Sequence, residues 1–230
     1  MIRKVLLAAT LLVATGIAHA GVVLSEGFDD ISTLAGSGWA QKNESTPGGT
    51  VDWFQGNDGV FPAQSGLADS YIGASFSNTG FGGDISNWLI TPTITLSDRM
   101  FLTFSTRSEG FVPDRLEVRL STNGSSIDVG TTETSVGDFT TLLATINPAL
   151  DDSYPSADWA TYTINLGGFA DGSLARLAFR YYVTDTFTNG DYIGIDSVSV
   201  NVPEPSTFAL FGLALALCVW TTRRRLVRCK

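Results

Sequence analysis

Histidine and cysteine are almost missing from this chain. The single histidine is His19 and the two cysteines are Cys218 and Cys229, so residues 21–201 contain neither. That stretch therefore has no disulfide, no thiol nucleophile, no imidazole base and no nitrogen or sulfur ligand for zinc. Most hydrolytic chemistries are excluded with them; carboxylate-pair chemistry and hard-cation sites remain. Positive charge is scarce as well. Between Gly21 and Asn201, Lys42 and six arginines face twenty-two carboxylates, a balance of about −15 against −9 for the whole chain. Such a surface repels phosphate backbones and excludes nucleic-acid binding. It serves either solubility or a supply of oxygen ligands for Ca²⁺. Also absent between the two ends is any capped stretch of sustained helical period, any internal repeat and any low-complexity tract.

Long apolar runs occur only at the ends. At the front, Arg3 and Lys4 precede the apolar Val5 to Ile17, and Ala18-His19-Ala20 forms a small-x-small site. This predicts a cleavable secretory signal over residues 1–20, with Gly21 as the new N-terminus. At the back, Val202-Pro203-Glu204-Pro205-Ser206 precedes an uncharged run from Thr207 to Thr222, followed by Arg223, Arg224, Arg225, Arg228 and Lys230. The two prolines stop the folded part. The run favours a helix once in lipid, and the cations hold its end in the cytoplasm. Sixteen residues rise only about 24 Å as a helix, short of a hydrocarbon core of about 30 Å. A span this marginal suits transient recognition better than a permanent anchor.

Between the ends, short β-rich runs recur, separated by Gly, Asn, Asp and Ser. They are expected over 22–28, 51–55, 71–76, 88–90, 94–96, 101–107, 115–120, 139–146, 159–166, 174–184 and 191–200. In Arg115 to Leu120 the alternation puts Leu116, Val118 and Leu120 inside, with Arg115, Glu117 and Arg119 toward water. The expectation is one all-β domain over residues 21–201, a two-sheet sandwich.

The order of parts in residues 202–230 resembles the PEP-CTERM sorting signal, departing from it in the extension from Leu226 to Lys230 and in Cys218 and Cys229. The resemblance implies Sec-dependent export by a Gram-negative bacterium that makes exopolysaccharide. The precursor would be held transiently in the inner membrane through residues 207–222 and processed by exosortase, a membrane cysteine transpeptidase. A second resemblance covers nearly the whole domain. Ser25-Glu26-Gly27-Phe28-Asp29-Asp30, Gly38-Trp39, Val51-Asp52-Trp53, Tyr71-Ile72-Gly73-Ala74-Ser75, Asn87-Trp88-Leu89-Ile90-Thr91-Pro92, Leu116 to Thr122 and Gly194 to Val200 together resemble the choice-of-anchor J domain, related to cleaved-adhesin and MAM-type jelly rolls. The implied fold is an antiparallel jelly roll.

In jelly rolls of that kind, carboxylates from the first and last strands meet around a structural Ca²⁺. The resemblance thus implies Glu26, Asp29 and Asp196 as ligands, with Asp69 and carbonyls of the Ser65 to Ser70 loop completing an oxygen shell. Trp39, Trp53 and Trp88 are expected in the core, whereas Tyr154 and Trp159 are candidates for a sugar-stacking platform. A hydrolase would need two carboxylates across a cleft, for example Glu109 with Asp114 or Asp151 with Asp152. No motif supports it. The functional expectation is a non-catalytic surface or matrix protein, adhesive or associated with extracellular polysaccharide. The alternatives are a carbohydrate-active hydrolase and a permanently membrane-anchored structural protein.

Overall fold

Leu116, Val118 and Leu120 are all fully buried, as their period-two spacing predicts. The computed structural model describes residues 21–203, and every element below lies within them. The signal peptide over 1–20, the sorting residues Glu204, Pro205 and Ser206, and the apolar run 207–222 lie outside the described residues. Among the described residues no helix is long and apolar enough to cross a membrane.

The strands, in chain order, are β1 (Gly21–Glu26), β2 (Ala40–Asn43), β3 (Thr46–Gly48), β4 (Phe54–Gln55), β5 (Ile72–Ser75), β6 (Thr79–Ile90), β7 (Ile94–Thr95), β8 (Phe101–Ser108), β9 (Leu116–Ser121), β10 (Thr141–Ile146), β11 (Ala160–Asn165), β12 (Leu174–Val183) and β13 (Tyr192–Val202). They form two sheets. The first runs β11-β8-β13-β5-β4, with β1 added on β13; the second runs β10-β9-β12-β6-β2, with β3 on β6 and β7 on β12. Neighbours that are distant in sequence, such as β8 beside β13 and β6 beside β12, give the crossed-over antiparallel wiring of a jelly roll. The described residues are all-β apart from two 3-10 turns.

The core lies between the sheets. Ile85 and Leu89 of β6 and Leu177, Phe179 and Tyr181 of β12 meet Leu102 and Phe104 of β8, Ile72 of β5 and Ile193, Ile195 and Val200 of β13 in the opposing layer. Trp39 and Trp53 are buried with them, as expected. Each sheet also carries a second, outer apolar layer. Trp88, Ile90 and Ala178 on the far face of β6 and β12 are covered by Val129 and Phe139 from the β9–β10 connection. On the other sheet Phe61, Tyr71 and Tyr192 pack with Phe54 and Trp159.

These outer covers overturn one expectation. Glu117 and Arg119 do not face open water: Glu117 is buried and Arg119 largely covered, because the β9–β10 connection folds back over them. Glu117 Oε2 accepts from Arg119 Nε at 2.8 Å and from Arg180 Nη1 at 3.2 Å. Arg180 is only 1 % exposed. Its guanidinium lies between the rings of Trp88, 4.7 Å away, and Tyr182, 3.8 Å away, and donates through Nη2 to the Glu133 carbonyl. A buried guanidinium needs such a set of partners to offset its desolvation.

Candidate functional site

The first candidate site forms where β13 departs from regularity. Its register with β8 slips between Asp196 and Ser199, and Ser197 adopts φ 52°, a left-handed conformation uncommon outside glycine. A bulge of this kind re-aims side chains at a strand edge. Opposite it, the end of β1 makes a similarly tight turn. Phe28 has φ 55°, sends its ring into the core against Trp39 at 5.5 Å, and donates its amide to Glu26 Oε1 at 2.8 Å. Between the two irregularities lies a polar cleft of about 390 Å³, lined by Ser25, Glu26, Asp29, Ser65, Gly66 and Ser197, among others. Gly66 has φ 85°, and a Cβ there would stand 3.0 Å from Asp29 Oδ1, so glycine lets the loop backbone approach that carboxylate.

The four carboxylates expected to bind calcium fall in three places. Glu26 and Asp29 line the cleft together. Asp196 is fully buried beside it and already engaged: Oδ2 accepts from Gln64 N at 2.8 Å and Ser65 N at 3.0 Å, and Oδ1 from the Ser197 amide. Burial raises its pKa, and these donors pull it back toward ionisation. Its evident work is to hold the 64–65 loop against the bulge. Asp69 is exposed, lies outside the cleft lining, and contributes its carbonyl to Gln55 Nε2 at 2.6 Å. Among the described residues no three carboxylates converge on one point. What the cleft offers is two carboxylates with serine hydroxyls and loop backbone, an all-oxygen donor set suited to a hard cation.

Of the two aromatic candidates, Tyr154 is corrected by its burial. Tyr154 is buried in the main core, with its hydroxyl 2.7 Å from Thr106 Oγ1, and cannot offer a face to a sugar. Trp159 is half-buried, edge-on to Phe61 at 5.4 Å and Tyr71 at 5.4 Å, and its Nε1 donates to the Pro62 carbonyl at 2.9 Å. It closes the outer layer over β5 and β13 as a lid on buried rings.

The hydrolase candidates do not make a site either. Asp114 is fully buried. Tyr181 Oη donates to its Oδ1 at 2.5 Å and the Asp191 amide to the same oxygen at 2.9 Å, while Oδ2 has no partner. Desolvation pushes its pKa up to about 7. Glu109 is also raised, first by burial and then by the nearby Asp191 carboxylate. Asp151 takes the Ser153 amide at 3.0 Å and caps an exposed turn.

Comparison with known proteins agrees with the arrangement of the chain. Residues 201–225 match the PEP-CTERM protein-sorting motif. No curated protein sequence matches the chain. Among solved structures, the K1 cleaved adhesin domain of Lys-gingipain from Porphyromonas gingivalis superposes with a TM-score of 0.53 at 22% identity, covering 78% of this chain and 98% of that domain. The K3 cleaved adhesin domain of the same protein gives 0.52 at 17% identity, covering 80% and 100%. At these identities the likeness establishes the fold. The chain thus joins a jelly-roll domain similar to the cleaved adhesin domains to a PEP-CTERM sorting motif, and that motif marks it for export.

Proposed function

We propose that the domain is delivered outside a Gram-negative cell as a non-catalytic surface or matrix protein, adhesive and associated with extracellular polysaccharide. The observation that carries this reading is the junction itself. The sorting match begins at Asn201, one residue before the end of β13, so the strand that completes the first sheet runs directly into the signal. Exosortase is the processing partner, acting near Val202-Pro203-Glu204-Pro205-Ser206 after Sec-dependent export. Release from, or attachment at, that point leaves every strand of the jelly roll intact. Calcium enters as a structural ion in the Glu26–Asp29 cleft, where it would tie the end of β1 to the 65–66 loop. The hydrolase alternative finds no support in the placement of Glu109, Asp114, Asp151 or Asp152.

The test is the intact mass of the protein recovered from cells with and without the sorting enzyme. A mass ending between Val202 and Ser206, seen only when the enzyme is present, supports the reading. Retention of Lys230 in the mature protein makes the tail a permanent anchor and overturns the sorting step.

A further inference from the structure

The end of the domain at the start of β13 carries an aromatic cluster that the core does not use. Phe81 of β6 is 93% exposed and Phe187 of the β12–β13 connection 65% exposed, yet their rings meet edge to face at 4.8 Å. The pair is built, not accidental. Gly82 has φ 71°, and a Cβ there would lie 2.1 Å from the Phe187 ring, so that ring rests on bare backbone. The connection is pinned to β6 by two successive amides just before Phe187: Asp185 N donates to Asp84 Oδ1 at 2.8 Å, and Thr186 N to the Gly83 carbonyl at 3.1 Å. Two further exposed rings flank the same connection. Phe111 donates its amide to Asp191 Oδ2 at 3.2 Å, and Phe76 donates its amide to the Asp191 carbonyl at 2.9 Å. Exposed apolar side chains are ordinary singly; a pinned group of them marks a contact surface.

We propose that Phe81 and Phe187, rimmed by Asp84 and Asp185, form a stacking site for an uncharged polysaccharide. This rests on the polysaccharide reading above and names its site. The chemistry of the rim selects the occupant. Ionised carboxylates only accept hydrogen bonds, and no ion pair among the described residues involves Asp84 or Asp185. The ligand must therefore supply donors, as sugar hydroxyls do, while its C–H face lies on the negative faces of the rings. An anionic polymer or an anionic lipid surface is repelled, and a second copy would bring the same acceptor-only rim against this one. Position agrees. β13 runs from Tyr192, beside the cluster, to Val202, where the sorting match has begun, and its eleven residues span roughly 30 Å. A domain held through its C-terminal end keeps the rings at the opposite end of that strand.

The test is affinity electrophoresis of the mature exported protein through gels containing hydroxyethyl cellulose, galactomannan, dextran, the neutral polysaccharide fraction of the producing cells, or alginate. Retardation is expected in at least one neutral gel and not in alginate. In the F81A/F187A double variant the apparent affinity falls about tenfold or more, the scale of one lost ring contact, while F81Y/F187Y retains it. Both rings are exposed, so an unchanged melting temperature confirms that the alanine variant is folded. If the alanine variant is retarded as strongly as the parent, the site is overturned while polysaccharide association stands. If no neutral polymer retards the parent, both fall. Loss of a dimer in the alanine variant, with no change in retardation, would assign the rings to a second copy and overturn the proposal.

Discussion

The backbone amide of Asp191 donates to Asp114 Oδ1 at 2.9 Å, while the carboxylate of Asp191 accepts from Phe111 N at 3.2 Å, so the two aspartates lock the 109–114 loop onto the start of β13. Asp114 carries this role inside the protein, where charge is costly, and its pKa is pushed up to about 7. The unfolded chain would release that proton near pH 4. Between those values the folded state binds more protons than the unfolded one, so this group's contribution to stability is greatest at low pH and declines as pH rises through about 7. We predict that Asp114→Asn, which mimics the protonated form, flattens the fall in melting temperature between pH 5 and 8. Denaturation scans across that range, by circular dichroism, check it; parallel curves for parent and variant would remove Asp114 as the source.

Glu117 has the opposite sign. Burial alone would raise its pKa, but the guanidinium groups of Arg119 and Arg180 outweigh burial and hold it below its usual range. Its contribution is present above the unfolded carboxylate value and is lost as pH falls through the folded one. Removing the negative partner strands Arg180 between Trp88 and Tyr182 with a buried charge. Glu117→Gln is expected to cost about 3–5 kcal/mol, and Arg180→Met distinctly less, since Arg119 stays with Glu117. Urea titrations of the two variants decide the order.

The calcium reading predicts a shift in melting temperature. A ligand present at about a hundred times its Kd stabilises by about 2.7 kcal/mol, or roughly 5–10 °C for a domain of this size. Added Ca²⁺ should raise the melting temperature and chelator should abolish the rise. Glu26→Gln and Asp29→Asn should each remove the calcium-dependent part, because both line the cleft. Asp69→Asn should leave it unchanged. Superimposable melts of the parent with chelator and with Ca²⁺ would discard the ion altogether.

How much of this was legible in the sequence follows from how local each signal is. The strand Leu116 to Ser121 and the buried Trp39, Trp53 and Trp88 could be read because alternation and aromatic bulk are properties of short windows. The start of β6 could not. Thr79-Gly80-Phe81-Gly82-Gly83 reads as loop, since glycine weakens strand propensity, and pairing with β3 overrides that; β2 and β3 were missed for the same dependence on a partner. Glu26 and Asp29, three residues apart across the tight bend at Phe28, line one cleft, as the family resemblance implied. Asp196 looked like a ligand but spends its oxygens on Gln64 and Ser65, residues more than 130 positions away. Separation along the chain also hid Tyr154, whose hydroxyl partner Thr106 is 48 residues back. The one sequence trace of the Phe81–Phe187 pair is the glycine doublet after Phe81, which leaves the bare backbone on which Phe187 rests.

The outer aromatic layer offers the last prediction. Gly194 sits in β13 directly beneath it, and a Cβ there would stand 2.8 Å from Trp159, 2.8 Å from Tyr71 and 3.0 Å from Phe61. None of those three rings has room to retreat freely. Tyr71 is tied to the Tyr192 hydroxyl at 2.9 Å, and Trp159 to the Pro62 carbonyl at 2.9 Å. Gly194→Ala is therefore expected to cost about 1–3 kcal/mol, as overpacking does in a well-filled layer. Trp159→Ala alone should also destabilise, through lost ring contacts with Phe61 and Tyr71. Combined with Gly194→Ala, it frees space beside the new methyl, so the double variant should lose less than the two single losses added together. Strict additivity in a denaturation cycle would mean that Tyr71 and Phe61, and not Trp159, set the tolerance at Gly194.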